Sequence, residues 1–310
     1  MSKHTEGSER VLEEAIQIQQ KHRPDPEPAD PTPGTLLPEE PLVVIEPSHT
    51  WAGLDLRDFW RHRELLYFMI WRDLKVRYKQ TVLGLVWVVM QPLLTTVVFT
   101  VFLGLLARVP SDGTPYPLLA FSGLLPWTFF ANSVANGSNS LVVNAHLLTK
   151  VYFPRLIIPV SAVGGRLVDF GVSCVLLGAM MLFYGVPVGP GALMLVPLML
   201  LLALLALGAS LWASALNVKY RDVGIALPVL IQLWMFVSPV VYSPALVPPG
   251  WRRLYSLNPL AGIIEGFRSA LFGRPFDWPA LASAAAVTLA LLVYSAFAFK
   301  RMEKTFADLV

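Results

Sequence analysis

The fold follows from one stretch, Arg72-Asp-Leu-Lys-Val-Arg-Tyr-Lys-Gln-Thr-Val-Leu-Gly-Leu-Val-Trp-Val-Val-Met-Gln-Pro-Leu-Leu94. Its first half carries four basic side chains, at Arg72, Lys75, Arg77 and Lys79. Its second half is uncharged, and the chain stays uncharged as far as Ala107. The chain therefore passes here from an aqueous surface into hydrocarbon, and the basic flank predicts that this surface is cytoplasmic.

The composition is that of an integral membrane protein. Of the 310 residues, 55% are hydrophobic and 15% are charged, whereas a soluble domain has about 25% charged residues. Residues 51–310 contain 20 basic and 11 acidic residues, an excess that suits an anionic inner leaflet. A nucleic-acid partner is not expected, because no soluble basic domain is present to carry that charge.

Several kinds of chemistry have no motif in this chain. Cys174 is the only cysteine, and the five histidines lack metal-ligand spacing. No GxxxxGK[ST] phosphate loop is present. We therefore expect no metal and no cofactor in this chain, and any ATP must be hydrolysed by another subunit. The polar N-terminus shows no cleavable signal peptide.

Residues 1–50 are predicted to be a disordered or weakly structured cytoplasmic leader. Residues 24–48 are rich in Pro and Glu, so they bury too little apolar surface to offset their ordering entropy. Residues 51–310 form the transmembrane domain in this prediction.

Residues 55–79 are predicted to form an amphipathic helix in the membrane interface. Apolar residues recur at steps of three and four, at Leu56, Phe59, Trp60, Tyr67, Ile70, Leu74 and Tyr78. Trp60 and Trp71 are of the type found in the headgroup layer. The alternative is the outer helix of a soluble domain, which the direct continuation into an apolar span disfavours.

The apolar runs predict an all-α membrane protein with six transmembrane helices and a re-entrant helical hairpin between spans 5 and 6. The predicted spans are 81–106, 118–141, 157–184, 192–216, 223–243 and 278–299. The loops on the side of the termini hold fourteen basic residues and the opposite side holds five. Both termini are therefore predicted to be cytoplasmic.

The predicted spans contain some polar side chains. Asn132, Asn136 and Asn139 must face protein or water. Arg166 and Asp169 are three residues apart, as are Glu265 and Arg268, so each pair shares a helix face. We interpret both pairs as structural ion pairs.

Six sequence blocks resemble the permease subunit of type-2 ABC exporters, especially the branch that exports lipid-linked O-antigen, capsule and teichoic-acid polymers. The resemblance covers residues 51–310 and leaves the leader out. The blocks are Trp71–Gly84, Trp87–Pro92, Gly123–Phe130, Leu148–Arg155, Leu216–Val223 and Ser256–Pro259.

The resemblance implies a homodimer in the bacterial cytoplasmic (inner) membrane, driven by two copies of an ABC ATPase subunit that binds ATP and Mg. It further implies that the loop after span 2 docks on that subunit. The residues expected to do so are His146, Leu147, Leu148, Lys150, Val151, Phe153 and Arg155. The alternative is a basic loop that only lies at the membrane surface.

Aromatic residues in the spans are candidates for the substrate channel, because sugar rings stack on aromatic faces. The resemblance favours Trp87, Phe129 and Trp234, with Phe99, Trp127 and Tyr242 as further candidates. The alternative for each is packing or lipid contact. Arg77, Tyr78 and Lys79 are candidates for the entrance, where they would bind a lipid-pyrophosphate head; the alternative is that they only anchor the topology.

The sequence thus predicts a non-enzymatic permease that exports a lipid-linked polysaccharide. A type-2 ABC exporter of a small lipid or drug is one alternative. A proton-coupled secondary carrier is another, and it would need ionisable residues near the membrane midplane, where only Arg166 and Asp169 come close. A membrane glycosyltransferase would need clustered carboxylates or a DxD motif, which the sequence lacks.

Overall fold

The computed structural model describes residues 56–79, 84–111, 113–150, 153–303 and 306, and within these ranges the regular structure is entirely helical. The predicted leader, residues 1–50, lies outside the described residues. The α-helices are α1 (Leu56–Arg61), α2 (Arg63–Lys79), α3 (Gly84–Phe99), α4 (Tyr116–Val143), α5 (Ala145–Lys150), α6 (Ile157–Phe183), α7 (Leu195–Lys219), α8 (Val223–Val237), α9 (Arg252–Tyr255), α10 (Pro259–Phe272) and α11 (Trp278–Glu303).

Five helical segments are long and apolar enough to cross a membrane: Val86–Leu106, Tyr116–Val143, Ile157–Phe183, Pro190–Lys219 and Trp278–Glu303. They correspond to the predicted spans 1, 2, 3, 4 and 6. The first continues from α3 into a π-helix at Thr100–Leu106, and the fourth adds a 3-10 turn at Pro190–Met194 to α7.

The predicted fifth span, 223–243, differs from the structure. Helix α8 has 15 residues and ends at Val237, whereas a crossing needs about 20 apolar residues. Residues 238–243 are not helical. The predicted span is longer than α8 because it was based on hydropathy, and the sequence stays apolar beyond Val237, where the helix ends.

Glycine and proline separate α6 from α7 in the predicted segment 185–191. Gly185 has φ = 67°, a left-handed conformation that ends the helix after Phe183. The chain resumes a helical course at Pro190. The long uncharged run therefore forms two helices.

Helix α4 lies at the centre of the described transmembrane domain. It packs against α3, α6, α7, α8 and α10, and most of its side chains are buried. Its buried aromatic and aliphatic residues form the larger apolar core with α6, α7 and α10.

Helix α10 is a short and almost fully buried helix. Asn258 caps its N-terminus, where its Oδ1 accepts a hydrogen bond from the Leu260 backbone N–H at 3.1 Å. Gly273 ends it in the left-handed conformation, with φ = 65°. Its 14 residues are too few to cross a membrane, so it packs inside the bundle against α4, α7 and α11.

The face of α2 that packs on α6 overlaps only part of the predicted stripe, because Ile70 and Tyr78 contact α6 whereas Tyr67 is exposed. Met69 is buried, whereas Trp60, Tyr67 and Trp71 are exposed. The predicted apolar stripe included Trp60 and Tyr67. A run with apolar residues on nearly every side does not determine which side packs on the protein.

A second, smaller core joins the helix ends near α5. It contains Met69 of α2, Leu148 of α5, Ile157 of α6 and Phe299 of α11. Phe306 also packs here, with its ring centroid 5.3 Å from that of Phe299. This core holds α2 and α5 against the transmembrane helices.

Candidate functional site

Four side chains from α2 and α6 meet around one carboxylate, and we call them the Asp169 cluster. Asp169 Oδ2 accepts hydrogen bonds from Arg77 Nη1 at 2.7 Å and from Arg166 Nη1 at 3.0 Å. The Tyr78 hydroxyl donates to Asp169 Oδ1. The carboxylate therefore ties the end of α2 to the middle of α6.

The Asp169 cluster carries more positive than negative charge. Its two guanidinium groups and one carboxylate give the four side chains a formal charge of +1. Burial, followed by the hydrogen bond to Asp169, raises the pKa of Tyr78 to about 12, so its hydroxyl remains a neutral donor. The Nε of Arg166 is buried and has no hydrogen-bond partner among the described residues.

A polar cavity of about 110 Å³ lies beside the Asp169 cluster. The side chains that line it come from the middle of α3, α4 and α6. Its polar lining consists of Gln91, Thr95, Thr128, Asn132, Arg166, Asp169 and Ser173. Asp169 lies about 18 Å along α6 from Ile157, at 1.5 Å per residue. The cavity thus places ionised and amide groups at the depth where an apolar helix normally carries none.

Residues predicted to belong to two separate sites lie together in the structure. Arg77 and Tyr78 were predicted at a surface entrance, and Arg166 and Asp169 were predicted to form an independent ion pair. The structure places Arg166 and Asp169 in contact, and adds Arg77 and Tyr78 to the same carboxylate. Contacts between residues 92 positions apart leave no periodic signal in a single sequence. Lys79 is exposed and lies at the end of α2.

Arg268 of α10 is the centre of a second polar network. Its side chain is 1% exposed, and its Nη1 donates to Glu265 Oε1 at 2.6 Å and to the Tyr242 carbonyl at 3.0 Å. Its Nη2 donates to the carbonyls of Val240 at 2.9 Å and Leu119 at 3.2 Å. The guanidinium thus joins α10 to α4 and to the segment after α8. The spacing of Glu265 and Arg268 predicted only the ion pair and not these contacts with other segments.

An amide network that was not predicted from the sequence links α4, α7 and α8. Asn217 Nδ2 donates to the Ser138 carbonyl at 3.0 Å and to Asn139 Oδ1 at 2.9 Å. A Cβ at Gly224 would lie 3.1 Å from Asn217 Oδ1 and 3.2 Å from Asn139 Oδ1. Glycine therefore lets α8 approach both amides. The asparagine spacing in span 2 was the available signal, but nothing in the sequence indicated its partner.

A family model described as "ABC-2 type transporter" matches residues 64–272, from the start of α2 to the end of α10. This segment is more than half of the chain and includes the Asp169 cluster and Arg268. The chain belongs to the ABC-2 type transporter family. The resemblance drawn from the sequence blocks is thereby confirmed.

Curated relatives of this ABC-2 transporter chain include two O-antigen export permeases. The O-antigen export system permease protein RfbA of Myxococcus xanthus is 29% identical over 259 residues, which cover 82% of this chain and 98% of that protein. The protein of the same name from Klebsiella pneumoniae is 27% identical, over 80% of this chain and 95% of its own length. The inner membrane transport permease YadH of Escherichia coli is 28% identical over 61% of this chain and 77% of its own length.

In this ABC-2 transporter chain, the segment predicted to dock on an ATPase forms helix α5 and the turn after it. Leu148 is 7% exposed and Phe153 is 8% exposed, and both belong to the smaller core of this chain. These two side chains are therefore not on an apolar face open to a partner, which corrects the expected geometry. His146 and Lys150 are exposed.

The remaining residues of that segment differ in position. Leu147 is half-buried. Arg155 donates from Nη1 to the carbonyl of Glu303, so it joins the segment to the end of α11. Val151 lies outside the described residues.

The aromatic residues predicted to line a channel divide into two groups. Trp127 and Phe129 are buried inside the chain, and the Phe129 ring packs edge-on against Phe170 with centroids 5.4 Å apart. Trp87 and Trp234 are exposed. Phe99 and Tyr242 are half-buried and pack against the larger core.

Trp234 also borders an apolar groove of about 690 Å³. Its indole Nε1 donates to Asn258 Oδ1 at 3.2 Å, and its ring packs edge-on against Phe130. The groove is lined by side chains of α4, α7, α8 and α11, among them Trp212 and Leu291. Trp87 and Trp234 thus remain accessible candidates for substrate contact, whereas Trp127 and Phe129 are packing residues in the described chain.

Proposed function

We propose that this chain is the permease subunit of an ATP-driven exporter that moves a lipid-linked polysaccharide, of O-antigen, capsule or teichoic-acid type, outward across the cytoplasmic membrane. The main support for this proposal is the large share of each relative's length that aligns with this chain. Two O-antigen export permeases align with this chain over 98% and 95% of their own lengths, so the likeness extends over nearly the whole of each. Two copies of the chain and two ATPase subunits, which bind ATP and Mg, form the transporter in this proposal.

The proposed topology has six crossings with both termini in the cytoplasm. Helix α8 and the apolar residues 238–243 together make the fifth crossing. Helix α1 and the start of α2 lie in the cytoplasmic interface, the end of α2 reaches Asp169 in the middle of α6, and α10 is re-entrant from the outer side. The support is the basic flank of α2 and the buried position of α10.

The Asp169 cluster is the proposed recognition site for the phosphate of the lipid carrier. Its formal charge of +1 attracts the anionic pyrophosphate of such a carrier. Arginine binds phosphate oxygens through two parallel N–H groups, and Arg166 Nε is a buried donor next to the cavity. The exposed Lys79 adds positive charge at the end of the same helix.

Coupling to the ATPase is proposed to use the exposed side of α5. Among the described residues of the predicted segment, His146 and Lys150 are exposed and Leu147 is half-buried. Leu148 and Phe153 hold α5 on the smaller core, so movement of α5 passes directly to α2 and to the ends of α7 and α11.

A second candidate is export of a small lipid or drug. The apolar groove at Trp234 favours it, since a cavity of about 690 Å³ is large enough for such a molecule.

Deletion of the gene in its native host tests the proposal. We expect surface polysaccharide to disappear and lipid-linked polymer to accumulate on the cytoplasmic side, with both defects repaired by the wild-type gene. Normal surface polysaccharide together with increased sensitivity to amphiphilic drugs would instead support the small-molecule candidate.

A further inference from the structure

Helix α4 exposes an unusual set of residues for the most enclosed helix of a membrane domain. From Tyr116 to Val143, its exposed residues are Asn132, Asn136, Asn139 and the last two valines. Before the final turn, every exposed position is therefore an asparagine. We call Asn132, Asn136 and Asn139 the asparagine face.

The three positions lie on one side of the helix. Steps of four and three residues return to the same face, since a turn takes 3.6 residues. The face extends over about 10 Å of the helix axis, at 1.5 Å per residue. Asn132 also lines the polar cavity beside the Asp169 cluster, so the asparagine face continues into that cavity.

Lipid cannot cover this face at low cost. Polar side chains within membrane-spanning segments face the bundle interior or a water-filled cavity, and burial of an amide without hydrogen bonds is unfavourable. The internal bonds use only part of the amide capacity: Asn136 Nδ2 donates to the Asn132 carbonyl at 2.6 Å, and Asn139 donates from Nδ2 to the Ala135 carbonyl at 3.1 Å and accepts at Oδ1 from Asn217 Nδ2 at 2.9 Å. An asparagine side chain has two donor hydrogens and two acceptor lone pairs.

We propose that the asparagine face lines a hydrated path through the domain and hydrogen-bonds the hydroxyl groups of the exported polymer. The identity of this polymer rests on the proposed function. Each amide offers both a donor and an acceptor, as each sugar hydroxyl does. Neutral hydrogen bonds of this type contribute little net free energy, so a polymer can exchange them one after another and continue to move.

The polar lining favours a polymer over a second copy of the chain as the occupant. Helices that pack against each other in membranes present small residues, which let the backbones approach, and the asparagine face has none at its three positions. Polar groups also continue across the cavity onto Gln91 and Thr95 of α3. A contact between two copies of α4 would not require a polar wall on a neighbouring helix.

The first experiment measures hydration without any transport. Single cysteines replace Asn132 or Asn136 in a Cys174→Ser background, and a small membrane-impermeant methanethiosulfonate is added to membranes. Val175→Cys is the matched control, because Val175 is 76% exposed on α6 at a position suited to lipid. We expect labelling roughly tenfold faster at Asn132→Cys and Asn136→Cys, because only the thiolate reacts and it forms in water.

Slow labelling at both asparagine positions would overturn the hydrated face, even if gene deletion abolishes export. A disulfide between two copies of the Asn136→Cys variant, without labelling, would also overturn it, because the face would then contact a second copy of the chain. Conversely, rapid labelling would support the hydrated face even if gene deletion left surface polysaccharide unchanged. Failure of one proposal can therefore be distinguished from failure of the other.

The second experiment measures the contact with polymer. Asn132→Leu and Asn136→Leu should each lower polymer export about fivefold, the effect of one lost hydrogen bond, while the amount of membrane-inserted protein stays constant. Asn132→Ser and Asn136→Ser keep a donor and an acceptor and should restore most of the export. Normal export in the double leucine variant, with rapid labelling of the cysteine variants, would overturn the hydrogen-bonding role.

Discussion

Asp169 is the residue whose charge matters most in the described domain, because it accepts hydrogen bonds from two guanidinium groups and one phenol. Asp169→Asn removes the negative charge and leaves Arg77 and Arg166 close together in a site that is mostly buried. We expect a loss of about 3 kcal/mol, the lower end for a broken buried pair, measured by thermal unfolding in detergent.

Asp73→Asn is the matched control for that change. Asp73 pairs with Arg72 at 2.9 Å, and the two side chains are 32% and 44% exposed, more than those of the Asp169 cluster. A surface pair contributes about 0–1 kcal/mol, so this variant should unfold close to the wild type. Equal losses in the two variants would contradict the central role of Asp169.

Tyr78 gives a prediction about pH. Its pKa is raised to about 12 from 10.0, so its contribution is fully present below pH 10 and is lost only as the pH rises through about 12. Tyr78→Phe should therefore reduce stability by about 2 kcal/mol, the value for a hydrogen bond to a charged group. The reduction should be constant between pH 6 and pH 9. A loss that varies across that range would mean that another group titrates in the cluster.

At the residue scale, sequence could predict which side chains are unusual but not what they contact. The spacing of Arg166 and Asp169 predicted a shared helix face, and the ion pair is present at 3.0 Å. The addition of Arg77 and Tyr78 depends on how α2 packs on α6, which no local pattern encodes. The buried positions of Leu148 and Phe153 were also not predictable, because an apolar side chain looks the same whether its own core or a partner covers it.

The position of α10 depends on its close approach to α4. A Cβ at Gly123 would lie 2.0 Å from the Val240 carbonyl oxygen and 2.9 Å from Arg268 Nη2. Gly123→Ala should therefore displace α10 from α4 and cost about 1–3 kcal/mol, as overpacking does. Limited proteolysis of residues 238–257 and thermal unfolding measure both effects. Gly171→Ala on α6 is the control, since no atom lies within 4 Å of its Cβ position.

Helix α5 gives the prediction about coupling. Lys150→Glu reverses an exposed charge on α5 without changing the smaller core, so the chain should insert normally while the ATPase subunit no longer co-purifies. Lys219→Glu makes the same charge change at another exposed lysine, at the end of α7, and should retain the ATPase. Retention of the ATPase by both variants would move the docking surface away from α5.

At the element scale, hydropathy located most of the helices because long apolar runs leave few alternatives. Helix α6 covers Ile157–Phe183 against a prediction of 157–184, and Gly185 marks its end. Helix α8 is the exception. Its end at Val237 falls inside an apolar run, and the Asn258 side chain donates to the Val237 carbonyl at 3.4 Å and to Ser238 Oγ at 2.9 Å. A partner twenty residues away determines that end.

For the whole molecule, family membership and the described helices agree on a multi-pass membrane transporter. The direction of transport and the source of energy are the central claim of the proposed function. Inside-out vesicles from the deletion host, with this chain and its ATPase subunit restored, test both. Their outer surface corresponds to the cytoplasmic side, where lipid-linked polymer begins.

The decisive measurement is the fraction of lipid-linked polymer in these vesicles that resists an added membrane-impermeant sugar-oxidising reagent. The proposed function predicts that this protected fraction rises after ATP is added, does not rise with ADP, and does not rise in vesicles with Lys150→Glu. A protected fraction that is the same with ATP, with ADP and without this chain would contradict ATP-driven export of the polymer.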